Sequence, residues 1–223
     1  MIILHTKFYS VMHLVEVTDK KTARQFLNVA KVLYKNDPVW VCPLDNDINN
    51  IFNPEENAFF RDGKAIRWIL KNDQGELIGR IAAFYNHKKA HLYKQPTGGA
   101  GFFECIDDQD AADLLFDTAK KWLEEQGMEA IDAPINFGEN DNFWGLLIEG
   151  FTHPAFGMPY NFPYYKKLFE NWGFKPYFTQ ITKHLDLSVP FPERFWKIAE
   201  WVNKRGGFTF RNFTYKESEK FLK

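Results

Sequence analysis

Two runs of strand-forming residues separated by a short turn constrain this chain more than any other feature. Ala65-Ile-Arg-Trp-Ile-Leu70 and Leu77-Ile-Gly-Arg-Ile-Ala-Ala-Phe84 are rich in β-branched and aromatic side chains. Between them, Asn72-Asp-Gln-Gly75 supplies residues that tolerate positive φ, so the pair predicts an antiparallel hairpin. Such a hairpin is stable only inside a larger sheet whose apolar faces are covered.

The rest of the chain offers the cover. His13-Leu-Val-Glu-Val17 alternates as a short strand, and Thr18 or Asp19 can cap a following helix. Ala23, Phe26, Leu27, Ala30 and Leu33 then recur at the spacing of one buried helix face. That helix must end before Asn36-Asp-Pro38, because the residue preceding a proline is pushed out of the helical region. A second short helix is expected over 45–52, closed by Asn53-Pro54. Residues 86–101, with Lys88, Lys89, Lys94 and three glycines, read as a polar loop. Phe102-Phe-Glu-Cys-Ile106 reads as a strand. Asp107-Asp-Gln-Asp110 then caps a helix whose apolar face includes Leu114, Leu115, Ala119, Trp122 and Leu123, ended by Gly127. A short strand over 130–135, a helix over 164–172 and an alternating strand over 178–185 complete the order.

After Pro190 the pattern starts again. A helix is expected over 194–204, Gly206-Gly207 breaks it, and a strand over 208–211 and a helix start at Tyr215 follow. This order predicts an N-terminal extension over 1–12, one domain over 13–189, and an incomplete second unit over 190–223, so the chain is expected to be a fragment.

Composition narrows the function classes. The 28 Lys and Arg against 29 Asp and Glu leave a charge of −1, so no global basic field recruits nucleic acid. No apolar run approaches a membrane span, and the N-terminal Met1-Ile-Ile-Leu-His5 has no signal-peptide pattern, so no membrane partner is expected and a cytoplasmic location is. Two cysteines, Cys42 and Cys105, cannot build a disulfide framework and fit a reducing compartment. The 23 Phe, 9 Tyr and 7 Trp predict aromatic packing in the interior or around a pocket.

The order of elements, together with Tyr164-Tyr-Lys-Lys-Leu-Phe-Glu-Asn-Trp-Gly-Phe174, resembles the GNAT superfamily of N-acetyltransferases, whose closing helix ends in a Gly-Phe pair. Asn136 falls where that superfamily commonly has an asparagine. Gly101-Phe-Phe-Glu104, Glu149-Gly-Phe151 and Met158-Pro-Tyr-Asn161 further resemble the N-terminal half of a bacterial group of tandem GNAT-like proteins. The resemblance implies an α/β fold (α+β) with a mixed, mostly antiparallel central sheet and helices on both faces. It also implies acetyl-CoA or another acyl-CoA as cofactor, a small-molecule amine acceptor, and a C-terminal half or second copy as partner.

By the same resemblance, Cys105, Ile106, Gln109, Ala111 and Asn136 would stand at the cofactor. A glycine-rich turn presents backbone N–H groups and a positive helix end to a pyrophosphate. Here Gln109 replaces a glycine, Ile106 replaces an amide or basic residue, and Asp107, Asp108 and Asp110 would face the phosphates. Like charges a few ångströms apart repel by about 1 kcal/mol each even when screened. Capping a helix is the simpler role for these acids.

The proton-donor position of the superfamily, four residues before the Gly-Phe pair, holds Phe169, which has no proton to give. The role would then fall to Tyr164 or Tyr165, with Glu149 as an acid/base candidate. The site is accordingly expected to be degenerate. Other polar groups carry simpler readings. His87 and His91, the acids Glu139 and Asp141 with His153, and the loop lysines read as solvated surface, and no metal site is expected. The aromatic segment 136–163 admits two readings, an open ligand cleft or a self-packed cover. In sum, the sequence predicts the N-terminal half of a GNAT-like N-acyltransferase, with a non-catalytic ligand- or partner-binding module as the alternative.

Overall fold

The computed structural model describes residues 11–92, 94–139, 142–183, 185–205, 207 and 212–216. It divides between Pro176 and Tyr177 into two units.

The first unit is organised by a five-stranded sheet in the order β1-β2-β3-β4-β5, comprising β1 (His13–Glu16), β2 (Gly63–Lys71), β3 (Leu77–Asn86), β4 (Thr97–Cys105) and β5 (Ala130–Asp132). The first three pairings are antiparallel and the last, β4 with β5, is parallel. The β2–β3 hairpin turns where the sequence places it, with Gly75 at φ 80° and its N–H donating to the Asn72 carbonyl.

Successive side chains of β2 and β3 point to opposite faces, and each face is covered. Trp68, Leu70, Ile81, Ala83 and Tyr85 meet α4 (Gln109–Glu125) and α5 (Tyr165–Trp172). Ile69, Ala82 and Phe84 meet α1 (Lys20–Leu33) and α2 (Asp45–Ile51). Burying each of these large apolar side chains contributes roughly 1.5–3 kcal/mol. Helix α1 starts in a capping box, in which Asp19 accepts the Thr22 N–H at 2.7 Å and Thr22 Oγ1 accepts the Asp19 N–H at 3.1 Å. The aromatic load serves the core: Phe103, Phe116, Phe169 and Phe174 pack at centroid distances of 4.6 to 5.4 Å.

Residues 86–101 differ from the expected polar loop. Strand β3 runs to Asn86, α3 (His87–Ala90) follows, and the glycines belong to β4. They stand in a strand because neighbours approach too closely for a side chain. A Cβ on Gly98 would meet Leu123 Cδ2 at 2.6 Å, and one on Gly101 would meet the Ile135 carbonyl oxygen at 1.8 Å. His87 and His91 therefore lie on and just past a helical turn, rings parallel at 5.9 Å. Among the described residues no group of His, Cys, Asp and Glu is arranged to hold a metal.

In the second unit the helix expected over 194–204 forms as α6 (Glu193–Lys204). The strand expected over 178–185 does not: residues 177–183 and 185 carry no regular structure, and His184 lies outside the described residues. Alternation makes a strand only where a ladder partner is available, and among the described residues none pairs with this run. The strand expected over 208–211, the rest of the helix from Tyr215 and the extension before Val11 also lie outside the described residues. Among the described residues no helix is long and apolar enough to cross a membrane.

Candidate functional site

Strand β4 creates the site by losing its partners. Glu104 pairs with Arg80 and Gly101 with Ala82, so Phe102 and Phe103 together oppose Ile81. This is a β-bulge, and Phe102 carries it at φ 52°, a region uncommon for a bulky residue. On the other edge, β5 pairs only as far as Gly99, and one further bond runs from the Ile135 N–H to the Ala100 carbonyl at 2.9 Å. Beyond that point the edge of β4 at Cys105 is open to another element.

Helix α5 fills it. The Cys105 N–H donates to the Tyr165 hydroxyl at 2.9 Å, and the Tyr164 hydroxyl donates to the Cys105 carbonyl at 2.7 Å. Tyr165 also donates to Glu104 Oε2 at 2.8 Å, so a single hydroxyl joins the strand backbone to a buried carboxylate. Burial, followed by the Glu104 charge, raises the Tyr165 pKa well above that of free tyrosine. Tyr164 shifts the same way, from burial and then from Cys105, Asp107 and Glu104. Both hydroxyls hold their protons tightly.

The turn that follows is also engaged internally. Ile106 N–H donates to the Ile78 carbonyl, Asp108 N–H to the Ile106 carbonyl, and Ala111 N–H to Asp108 Oδ1 at 2.9 Å. Asp108 is thus the N-cap of α4. Gln109 is tied to α5, donating to Leu168 carbonyl at 3.2 Å and accepting from Asn171 Nδ2 at 2.9 Å. The Cys105 thiol is pushed up chiefly by burial and then by Asp108, Glu104 and Asp107, which leaves it protonated and inert.

Of the residues predicted for the site, Cys105, Ile106, Gln109, Ala111, Tyr164 and Tyr165 come together around the β4–α4 turn and α5. Asn136 is buried, next to Gly138, and its Oδ1 has no hydrogen-bond partner among the described residues. Glu149 stands apart, exposed on the segment after Phe143. The acids and histidine weighed with it do not converge either. Glu139 pairs with Lys89 at 2.6 Å and His153 meets the Val39 carbonyl at 2.9 Å, while Asp141 lies outside the described residues. Lys88 pairs with Asp62.

The aromatic segment packs as a cover. Phe162 stacks on Tyr34 at 4.3 Å and on Tyr164 at 5.2 Å. Tyr160 donates to Asp37 Oδ2 at 2.8 Å, and Asn161 braces the segment through both the N–H and the carbonyl of Leu147. Phe156, by contrast, is 89% exposed and contributes to neither a cleft nor the core.

Sequence reasoning missed a buried polar cluster on the α1 side of the sheet. Arg80 donates through one terminal nitrogen to the Phe26 carbonyl at 2.9 Å and reaches Glu104 Oε1 at 3.4 Å. Burial raises the Glu104 pKa, and Arg80, Tyr165 and Tyr34 oppose the rise. The Tyr34 hydroxyl lies close to this carboxylate without a well-formed hydrogen bond. The signal was present: an arginine inside Leu77-Ile-Gly-Arg-Ile-Ala-Ala-Phe84 and a glutamate inside Phe-Phe-Glu-Cys interrupt runs otherwise fit for a core.

No family model matches the chain. It is 32% identical to Protein YghO of Escherichia coli (strain K12) over 160 residues, 70% of this chain and 40% of that protein, so it spans less than half the length of this curated relative. Among solved structures it is similar to a tandem GNAT protein from the clavulanic acid biosynthesis pathway, with TM-score 0.48 and 12% identity, over 73% of this chain and 43% of that one. A predicted acetyltransferase of Clostridium acetobutylicum, solved with acetyl-CoA, has TM-score 0.45 and 12% identity over 80% and 97% of the chains. An acetyltransferase of Streptococcus agalactiae has TM-score 0.44 and 17% identity over 82% and 92%. With a mixed sheet in sequential order, a bulged β4 that parts from β5, and a glycine-capped α5 beside the parting, the chain has a GNAT-like fold.

Proposed function

We propose that the chain is one half of a tandem GNAT-like N-acyltransferase, acting in the cytoplasm with acetyl-CoA or another acyl-CoA and a small amine acceptor. In this reading its own cofactor turn is closed, and the better cofactor site belongs to the rest of the protein. One observation carries the closed turn: Tyr164 and Tyr165 take both the carbonyl and the N–H of Cys105 on the open edge of β4. In the superfamily it resembles, a parted strand directs such an N–H at the thioester carbonyl. The internal bonds of Ile106, Asp108 and Ala111, and the aspartates beside them, support the same reading. That the chain matches 40% of YghO supports a longer whole, and two free cysteines suit a reducing compartment.

Acetyl-CoA bound in the rest of the protein would supply the acyl group, while in this half Tyr164 and Tyr165 keep the β4 edge closed and the aromatic cover shields the acceptor side from water. Isothermal titration of this chain with acetyl-CoA should give no saturable binding tighter than about 1 mM, roughly −4 kcal/mol. Full-length YghO should bind. Micromolar affinity in this chain overturns the closed turn, and absence of binding to YghO overturns the acyl-CoA dependence.

A further inference from the structure

The strands of the sheet place more positive than negative charge beneath α1. Arg67 on β2, Lys71 at its end and Arg80 on β3 all reach the α1 side, where Phe26 lies against both guanidinium groups and Gln25 accepts from Lys71. From β4 only Glu104 answers them. Arg67 makes no ion pair among the described residues and rests instead against the rings of Phe52 and Phe26, at 4.4 and 5.4 Å. Desolvation lowers its pKa to about 10, a measure of how little compensates its charge.

Arg80 is the more telling group. It is only 6% exposed, yet its Nε has no hydrogen-bond partner among the described residues. Its contact with Glu104, at 3.4 Å, is long for a charge-assisted bond. The other oxygen of Glu104 is already taken by Tyr165. A buried guanidinium with spare donors and a weak counter-ion is costly to keep without a ligand.

A cleft leads to it. Leu27, Ala30, Ile48 and Arg80 form its buried floor; Trp40 stands at its side, and Lys31, Cys42 and Asp45 lie toward its mouth. The cavity volume is about 10 Å³, room for one water molecule or one ligand oxygen. Lys31 and Asp45 close on each other at 2.6 Å in an exposed ion pair, the kind that separates at little cost.

The geometry points to this cleft as the seat of a carboxylate on the acceptor, read by Arg80 at the floor and Lys31 at the mouth. One carboxylate oxygen takes the single-water space and the second lies toward Lys31. The planar fork of a guanidinium suits such a group. The charged groups that line the cleft are Arg80 and Lys31 against Asp45, so an anion is favoured there over a cation. The word acceptor rests on the acyltransferase reading above; the carboxylate preference rests on charge and shape alone.

The test is therefore run without acetyl-CoA. The ¹⁵N-labelled chain is titrated with sodium propionate, with sodium phosphate, and with sodium chloride at matched ionic strength, while the arginine Nε–Hε signals are followed. The Arg80 signal, identified by its loss in Arg80→Lys, should shift saturably with propionate alone. Cys42→Trp, which fills the exposed mouth, and Lys31→Glu, which reverses its charge, should each weaken the effect by about tenfold or more. Both positions are on the surface, and where Arg80→Lys does not fold the Arg80 signal is assigned through its bonds to the Arg80 backbone, so these variants still report. An Arg80 signal indifferent to propionate, moved equally by chloride or phosphate, or untouched by both mouth variants overturns the inference. If propionate binds and acetyl-CoA chemistry fails, only the acceptor label is lost.

Discussion

The Tyr165 hydroxyl lies 2.9 Å from the backbone nitrogen of Cys105 and accepts its proton at the point where β4 has lost β5. The same oxygen donates to Glu104 at 2.8 Å, so a helix side chain completes a sheet edge and satisfies a buried carboxylate together. Tyr165→Phe leaves the Cys105 N–H and one oxygen of Glu104 without partners while keeping the ring. Each unsatisfied buried group costs about 1–3 kcal/mol, so with two of them urea denaturation should show a loss of about 2–6 kcal/mol. A change below about 0.5 kcal/mol would mean that water replaces the hydroxyl.

Opening the phosphate turn should reveal whether charge and bulk are what close it. Asp107→Gly with Gln109→Gly removes one negative charge and frees the Leu168 carbonyl. Tyr164→Ala, added to this pair, frees the Cys105 carbonyl. The triple variant should gain measurable acetyl-CoA affinity over the parent in calorimetry. A folded triple variant that still binds nothing places the defect elsewhere.

Gly101 is held by backbone. A Cβ there would lie 1.8 Å from the Ile135 carbonyl oxygen, and neither segment can yield without straining the Ile135–Ala100 hydrogen bond. Gly101→Ala should destabilise by about 3 kcal/mol or more, the overpacking range and above. Gly75→Ala, in a turn with open space but φ 80°, should cost only about 1 kcal/mol, read from the same denaturation curves.

Asp37 links the cover to acid stability. Burial works against its charge, but the N–H groups of Val39 and Trp40, the Tyr160 hydroxyl and the His153 charge hold its pKa below the usual aspartate value. A lowered folded-state pKa contributes stability above the unfolded value of about 3.9 and loses it as pH falls through the folded value. Tyr160→Phe should therefore cost about 1–2 kcal/mol at pH 7, and the gap from the parent should narrow as pH falls below about 4. A gap constant with pH would show that the tyrosine contributes packing alone.

The cover itself can be dissected. Phe162→Ala removes the ring stacked on Tyr34 and Tyr164, and should cost about 3 kcal/mol. Phe156→Ser, at a ring 89% exposed, should stay within about 0.5 kcal/mol. Equal losses at the two positions would contradict the self-packed arrangement.

The local chemistry of the chain was legible in its residues. Asp19 capping α1, the Asn72–Gly75 turn, Asp108 at the start of α4 and Gly173 at the end of α5 are each decided by neighbours a few positions away. The alternation that puts Trp68 and Leu70 on one face and Ile69 on the other is equally local, so the two-layered cover of the sheet could be read ahead of the structure. What only the tertiary structure decided depends on partners far along the chain. Gly98, Gly99 and Gly101 read as loop until Leu123, Phe84 and Ile135 are seen to press against them. The run 178–183 has the alternation of a strand and, among the described residues, no ladder to join. By resemblance Tyr164 and Tyr165 stand as proton-donor candidates; only the structure shows that, where β4 has parted from β5, they also partner the Cys105 backbone. Arg80 and Glu104 stand 24 residues apart. Nothing near either one in sequence announces that pairing across β3 and β4 will bury both beneath α1, because the energy of a charge is set by what surrounds it in space.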